Sequence, residues 1–379
     1  MPTTVDSHST TSFDFTASEI QSLLLCSPDV PIDGEAHDAS REKYSKLTDR
    51  LMKRQTNTII LDGYGCYCKI RNDAFCVEYD SDRLMTLYRG VHKIKQIILV
   101  ARGGYVTYDA MKWLAQQDIT MYLMDFNGEL LQVLSPKQNR NARLCYLQFK
   151  AMENETGLSI AKEMIRLKTI GQITTLQKHP ELTGQAKALE TLENGLIGLH
   201  TISDVEYLRL VEGRLAVAYF ACFADVKIKW DKTARRIVPE HWLTVGTRNS
   251  ALSSNGDARH ATNPYQSALN FALALLKAEV TRAINIAGLE PTVGYLHTYQ
   301  EDGNKQSLVY DLVEPFRAVV DDMMLQLFQR TLKRGDVYQT LSGECRLNEE
   351  LRRYILASCH VEASRIDRLC KWLRDVLVG

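Results

Sequence analysis

From Thr58 onward, short apolar runs rich in Ile, Val, Tyr and Phe alternate with turn residues: IILDGYG and CYCKI lead to Asn72-Asp73, and AFCVEY follows. Runs this short, each closed by turn residues, predict strands rather than buried helices. Together they read as a β meander. KQIILVARG (95–103) predicts another strand, DAMKWLAQQ (109–117) a helix, and TMYLMDF and ELLQVLS two more strands around the turn Asn127-Gly128. Residues 56–137 are therefore expected to form one small β-rich domain, with Pro136 opening a linker.

After Asn139 the period changes. ARLCYLQFKAM, GLSIAKEMIRLKTIGQITTLQ, KALETLENGLIGL, YLRLVEGRLAVAYFACFA, YQSALNFALALLKAEVTRAINIAGL and DLVEPFRAVVDDMMLQLFQRTLK all place apolar residues three and four apart, the spacing of one helical face. Asn263 suits an N-cap, Pro264 a first helical turn and Gly288 a C-cap. Leu347 to Leu377 reads as two short helices separated near Cys359 to Glu362, better explained as a bundle edge than as a helix-turn-helix. The fold class expected is α+β: a small N-terminal β-rich domain, then a larger all-helical domain over 138–379. Residues 1–55 are Ser/Thr-rich and then charged, a partly ordered extension with a helix expected near 40–54.

Composition narrows the function classes. Lys and Arg total 46 against 46 Asp and Glu, so any surface for a polyanion must be local rather than global. No apolar run reaches the roughly 18 residues that span a bilayer, and Met1 to Thr16 lacks a signal-peptide pattern, which favours a cytoplasmic protein without a membrane partner. Nine scattered cysteines without a CxxC pair argue against zinc-ribbon or disulfide frameworks. Cys66 and Cys68 would face one side of a strand as small core residues. No GxSxG, GxxxxGK[ST] or GxGxxG motif occurs.

Three distant neighbourhoods carry candidate chemistry. Glu212 lies inside an apolar helix with Leu208, Leu215 and Tyr219 at face-defining spacings; alone, such a glutamate is more often solvent-facing or ion-paired than a ligand. His297 follows GLEPTVGYL, and a lone histidine there is more often structural. Asp311 and Glu314, three apart on a helix, can present two oxygens to one site. Should these groups converge, carboxylates and one imidazole without thiolates would favour Mg²⁺ or Mn²⁺ and phosphoryl transfer at a nucleic-acid backbone. Lys227, Lys229, Lys232, Arg235 and Arg236 form a basic cluster with Trp230 among them as a stacking candidate, and Arg248, Arg259, His260 and Lys305 add further positive charge. A solvated charged face explains the 227–236 cluster equally well.

The EGRLAVAYF helix with Glu212, the stretch ARHATNPYQSALNFALALLKAEVTRAINIAGLEPTVGYLH (258–297) and KQSLVYDLVEPFRAVVDD (305–322), in that order, resemble the CRISPR-associated integrase of spacer acquisition, usually called Cas one. The strand-rich LDGYGCYCKI through GELLQVLSP resembles that family's N-terminal domain, so the likeness covers about 57–355. The resemblance implies a metal-dependent DNA endonuclease and integrase that joins 3′-hydroxyl ends of short duplex DNA to a target strand. It implies Glu212, His297 and Glu314 as metal ligands, Asp311 as a nearby acidic site residue and Lys305 as a DNA contact. It also implies a homodimer, formed through the β-rich domain, that pairs with a small ferredoxin-like CRISPR adaptation partner. Casposases, which integrate a mobile element with the same site, fit the same residues. A non-catalytic DNA-binding scaffold, with Glu212, Asp311 and Glu314 merely ion-paired to Arg214, Arg317 or Lys305, and a nuclease without integration remain alternatives.

Overall fold

The structure is a computed structural model that describes residues 58–79, 83–125, 130–135, 141–247, 260–297, 306–358 and 363–379. The N-terminal extension with its expected helix, the Asn127-Gly128 turn, and Arg248, Arg259 and Lys305 all lie outside the described residues.

Six strands, β1 (Thr58–Arg71), β2 (Ala74–Tyr79), β3 (Arg83–Leu87), β4 (Gln96–Val106), β5 (Thr120–Met124) and β6 (Leu130–Leu134), form one sheet in the order β3-β2-β1-β4-β5-β6. IILDGYG and CYCKI, expected as successive short runs, form the single strand β1; β2 is AFCVEY as expected, and β3 extends the meander by a strand the pattern had not indicated. Asn72 and Asp73 both take positive φ, 49° and 60°, between the paired Arg71 and Ala74, the two-residue turn whose twist matches its strands. The rest of the sheet is mixed, which corrects the simple meander: β4 runs parallel to both β1 and β5. Parallel neighbours need a crossover, and between β4 and β5 it is α1 (Tyr108–Gln116), capped by Thr107. Trp113 of α1 is buried and stacks on Phe75, closing the core of this face with Ile59, Ile97 and Met121. Cys66 and Cys68 are both buried in β1 with sulfurs 4.0 Å apart, and the seven cysteines among the described residues are free thiols.

The chain then becomes helical: α2 (Ala142–Met152), α3 (Glu155–Lys178), α4 (Gln185–Gly198), α5 (Val205–Ala221), α6 (Pro264–Ala287), α7 (Ser307–Leu327), α8 (Glu349–Ser358) and α9 (Ala363–Val378). Asn141, Asn154, Asp204 and Asn263 each accept a backbone N–H in the first turn that follows, satisfying donors a helix start leaves open. Gly288 ends α6 at φ 75°, a left-handed cap that suits glycine. α3 is buried on most of its circumference and packs along α7, which also packs on α6. Two stretches depart from the all-helical expectation. Residues 222–247 run as turns, short 3₁₀ segments and isolated bridges, and β7 (Val337–Gln339) pairs with β8 (Cys345–Leu347). α9 lies against α6 and α2 with Ile366, Leu369, Cys370 and Leu373 buried, as a bundle edge should.

Sheet and helices meet on Glu279 of α6. Its Oε2 accepts from Gln96 of β4 at 2.8 Å and Tyr122 of β5 at 3.3 Å, and Arg282 bridges Glu279 at 2.6 Å to Asp367 of α9 at 2.6 Å. Burial pushes the Glu279 carboxyl up from its ordinary range, against the opposing pull of Arg282. Among the described residues, no helix is long and apolar enough to cross a membrane.

Candidate metal centre

Four stretches of chain supply the polar groups of this region: Lys168 from α3, Glu212 from α5, His297 from the loop after α6, and Asp311 and Glu314 from α7. Lys168 shares a buried stripe with Ala161, Ile165, Gln172 and Leu176, so the helical period itself carries an ammonium into the core. A charge there needs partners of opposite sign. It has two: Glu212 Oε1, with which it makes a short ion pair, and Glu314 Oε2 at 2.5 Å. The lysine side chain is 6% exposed, Glu314 11% and Glu212 25%, so the ammonium sits on the inner side and Glu212 on the side open to solvent. Two carboxylates from helices 102 positions apart in sequence thus gather around one positively charged nitrogen.

Asp311 has a different task. Its side chain is 1% exposed and accepts from three successive backbone N–H groups, Tyr295 at 2.5 Å and Leu296 at 3.0 Å on Oδ2, and His297 at 2.9 Å on Oδ1. Oδ1 also meets His297 Nδ1 at 2.7 Å. Because a carboxylate only accepts, that contact assigns the ring proton to Nδ1 and leaves the Nε2 lone pair available. Both Asp311 oxygens are therefore engaged by the loop. The spacing argument that Asp311 and Glu314 offer two oxygens to one ion gives way to a division of labour, with Asp311 orienting the histidine and Glu314 facing the shared cation.

The loop reaches Asp311 because residue 294 is glycine. A Cβ there would stand 2.8 Å from the Ser307 carbonyl carbon and 2.9 Å from Asp311 Oδ2. On the other side, Arg209 of α5 donates through Nε to the Leu296 carbonyl at 2.6 Å. Arg209 precedes Glu212 by three residues and so lies on the same face of α5, which ties the His297 loop to the helix that carries Glu212. Pro315 adds a local irregularity in α7: without an N–H it cannot bond the carbonyl of Asp311, four residues earlier.

The ion pairing left open by the sequence exists, but its cation is Lys168. Arg317 is a peripheral neighbour, with Nη1 3.7 Å from Glu314 Oε1, and Arg214 is exposed. Lys168 carried a signal that the sequence reading missed, a charged residue on the apolar stripe of IRLKTIGQITTLQ. As they stand, no three His, Cys, Asp or Glu side chains among the described residues are gathered into a metal site. Glu212 and Glu314 meet instead on the Lys168 ammonium, and His297 on Asp311. The donor set still fits a hard divalent cation: two carboxylates that already hold one positive nitrogen in common, and an imidazole fixed in the tautomer with a free Nε2.

Two turns along α7, Asp321 and Asp322 are also buried. Asp322 accepts from Lys178 at 2.8 Å, contacts His179 Nε2 at 2.8 Å and receives Gln326 at 3.2 Å, a clasp between α3 and α7. Burial raises the Asp321 carboxyl to about 6, with Arg317 pulling the other way.

Lys227, Lys229, Lys232, Arg235 and Arg236 are all exposed, and Lys229 Nζ donates to Gln329 at 3.2 Å. Trp230 is no stacking surface: it is 8% exposed and packs on Trp242, ring centroids 6.0 Å apart at 13°. The segment is extended, so Ile228 and Trp230 point inward while Lys227 and Lys229 point out. Asp231, the one acid in the cluster, accepts from the backbone of Ala234 at 2.6 Å.

Comparisons with known proteins agree with one another. Residues 59–360 match the family model described as CRISPR associated protein Cas1. A CRISPR-associated endonuclease Cas1 of Archaeoglobus fulgidus is 28% identical over 316 residues, covering 79% of this chain and 86% of the relative. Among solved structures, a casposase bound to integration product aligns with a TM-score of 0.66 at 24% identity over 84% of this chain and 90% of the other. A Cas6-RT-Cas1–Cas2 complex aligns with a TM-score of 0.65 at 16% identity over 86% of this chain and 35% of the other. At these identities the two structures speak for the fold alone.

Proposed function

The chain belongs to the Cas1 family, and from that membership we propose that it is a divalent-metal-dependent DNA integrase and endonuclease that joins 3′-hydroxyl ends of short duplex DNA to a target strand. The observation that carries the proposal is the meeting of Glu212 and Glu314, from separate helices, at one positive charge, with His297 oriented by Asp311, which lies one turn before Glu314 on the same helix. Glu212, Glu314 and His297 Nε2 are the ligands in this reading, with Mg²⁺ or Mn²⁺ the ions that suit them. Bound there, such an ion would neutralise charge on the scissile phosphate and lower the pKa of the attacking hydroxyl.

The rest of the chemistry falls to the chain. Asp311 holds the His297 ring in one tautomer, Gly294 lets the loop close on Asp311, and Arg209 fixes the loop to α5. Joining forms a new bond from the incoming 3′ oxygen to phosphorus and breaks the target strand's P–O3′ bond, whose departing oxygen takes up a proton. No covalent enzyme intermediate is needed. The exposed Lys227, Lys229, Lys232, Arg235 and Arg236 follow the C-terminal end of the Glu212 helix and serve as a surface for the DNA backbone, with Arg248, Arg259 and Lys305 as further DNA contacts. A homodimer working with a small ferredoxin-like partner belongs to the same proposal; one solved structure that shares this fold is a complex containing Cas2.

The test is a joining assay with a short labelled duplex, a supercoiled plasmid and Mn²⁺ or Mg²⁺. Glu212→Ala should abolish metal-dependent joining and leave DNA binding largely intact. Joining at the wild-type rate by that variant refutes the assignment, and cutting of branched DNA without end transfer would identify a nuclease instead.

A further inference from the structure

We propose that Lys168 is a displaceable counter-ion with two seats, the Glu212/Glu314 pair when no metal is bound and the buried oxygens of Asp321 and Gln172 when one is. The inference rests on the reading of Glu212 and Glu314 as metal ligands and goes beyond it by assigning a function to a lysine of the same site.

The first seat is the observed one: a single ammonium is shared by two carboxylates from different helices. That arrangement keeps two like-charged groups together when no metal is present, and without it they would repel across a poorly screened site. A divalent ion bound to the same two carboxylates competes with the ammonium between them, because two positive charges would then crowd the same few oxygens. Metal entry must therefore move the lysine. It enters from the core side, with Glu212 toward solvent, so an arriving ion and a retreating lysine do not cross.

The second seat is marked by two buried acceptors. Gln172 Oε1 and Asp321 Oδ2 are both buried with no hydrogen bond of standard geometry, and the Tyr219 hydroxyl and the Arg317 charge are the neighbours that act on Asp321. Gln172 stands one turn beyond Lys168 on the same face of α3. Asp321 is close enough to Lys168 for the two charges to interact, and it lies on α7, the helix against which α3 packs. A cation moved to this place would complete two acceptors that are costly to leave buried. A lysine, with a four-carbon stem and three rotatable donors, can serve both positions.

Mn²⁺ titrations followed by electron paramagnetic resonance test this on the full chain, with circular dichroism to verify folding. Wild-type protein should bind Mn²⁺, and Glu212→Ala at least about tenfold more weakly. Lys168→Met should bind at least about tenfold more tightly than wild type, since the competing charge is gone, a change of about 1.4 kcal/mol. Asp321→Asn should weaken binding several-fold in the wild-type background and have no effect in the Lys168→Met background, the signature of two residues acting through one another. Lys168→Gln serves if the methionine variant does not fold. Unchanged or weaker binding by the Lys168 variants, with Glu212→Ala weakened, overturns the inference alone, as does an Asp321→Asn effect that persists without the lysine. Glu212→Ala binding like wild type overturns the metal reading and this inference with it.

Discussion

Replacing Asp311 by Asn changes one atom and no volume, yet it strikes the group that addresses both the His297 loop backbone and the His297 ring. The carboxylate receives four N–H contacts, two on each oxygen, at 2.5 to 3.0 Å. An amide can accept on one oxygen only, so at least two donors must face an NH₂ group. Hydrogen bonds to charged groups contribute about 1.5–3 kcal/mol each, and losing two at a site 1% exposed should cost roughly 3–5 kcal/mol. For a chain of this size that is a melting shift of order 6–15 °C, by extrapolation from smaller domains. The second effect is on the ring. If the NH₂ faces Nδ1, the proton must move to Nε2, and the lone pair that would meet a cation is lost. Orienting partners of ligating histidines typically contribute 10–100-fold in metal affinity. Differential scanning calorimetry without metal reads the first effect, and a Mn²⁺ titration of the folded variant reads the second. An Asp311→Asn protein that melts within about 2 °C of wild type, or that binds Mn²⁺ with undiminished affinity, would refute the orienting role.

Two further outcomes follow from the same geometry. Gly294→Ala should force the loop off the start of α7, because its Cβ would stand 2.8–2.9 Å from Ser307 and Asp311 atoms; joining activity is expected to fall by about 10²-fold or more, and wild-type activity in a folded variant would contradict the close approach. Asp321 ionises at about 6 in the folded chain against an ordinary 3.8, so below about pH 4 it carries no penalty, and between about 4 and 6 the unfolded chain ionises first and stability is lost. Asp321→Asn should therefore gain up to about 3 kcal/mol over wild type between pH 4 and pH 7, and denaturant melts with a constant difference across that range would exclude the effect.

What the sequence made legible and what it hid divide along physical lines. Local signals were readable: Asn263, Pro264 and Gly288 bracket α6 as capping chemistry requires, and Asn72-Asp73 is the tight turn its composition suggests. Non-local ones were not. Nothing in KQIILVARG says that it pairs parallel to β1, because that choice is made by a partner strand more than 30 residues away. The stretch after Ala221 has helix-compatible residues but is held extended by Leu243, Val245 and Leu332, whose contributions no local window contains. At the site, spacing put Asp311 and Glu314 on one side of a helix, while their different duties depend on a loop and on a lysine from elsewhere. Lys168 could have been found by asking why a charge interrupts an apolar stripe.

The paired tryptophans beneath the basic segment bear on how this protein would grip a polyanion. Trp230 donates to the Trp242 carbonyl at 3.0 Å, Trp242 donates to that of Thr262 at 2.8 Å, and Arg334 lies over the Trp242 ring at 5.8 Å. The backbone under Lys227, Lys229 and Lys232 is thus already ordered before any strand arrives. Fixing a flexible stretch would cost on the order of 1–2 kcal/mol per residue, a penalty that here belongs to folding rather than to association. On the proposed function, the outer methylenes of the cationic side chains are what remains to be immobilised, so a base of stacked tryptophans would let a chain with no excess of positive charge hold a sugar-phosphate rail.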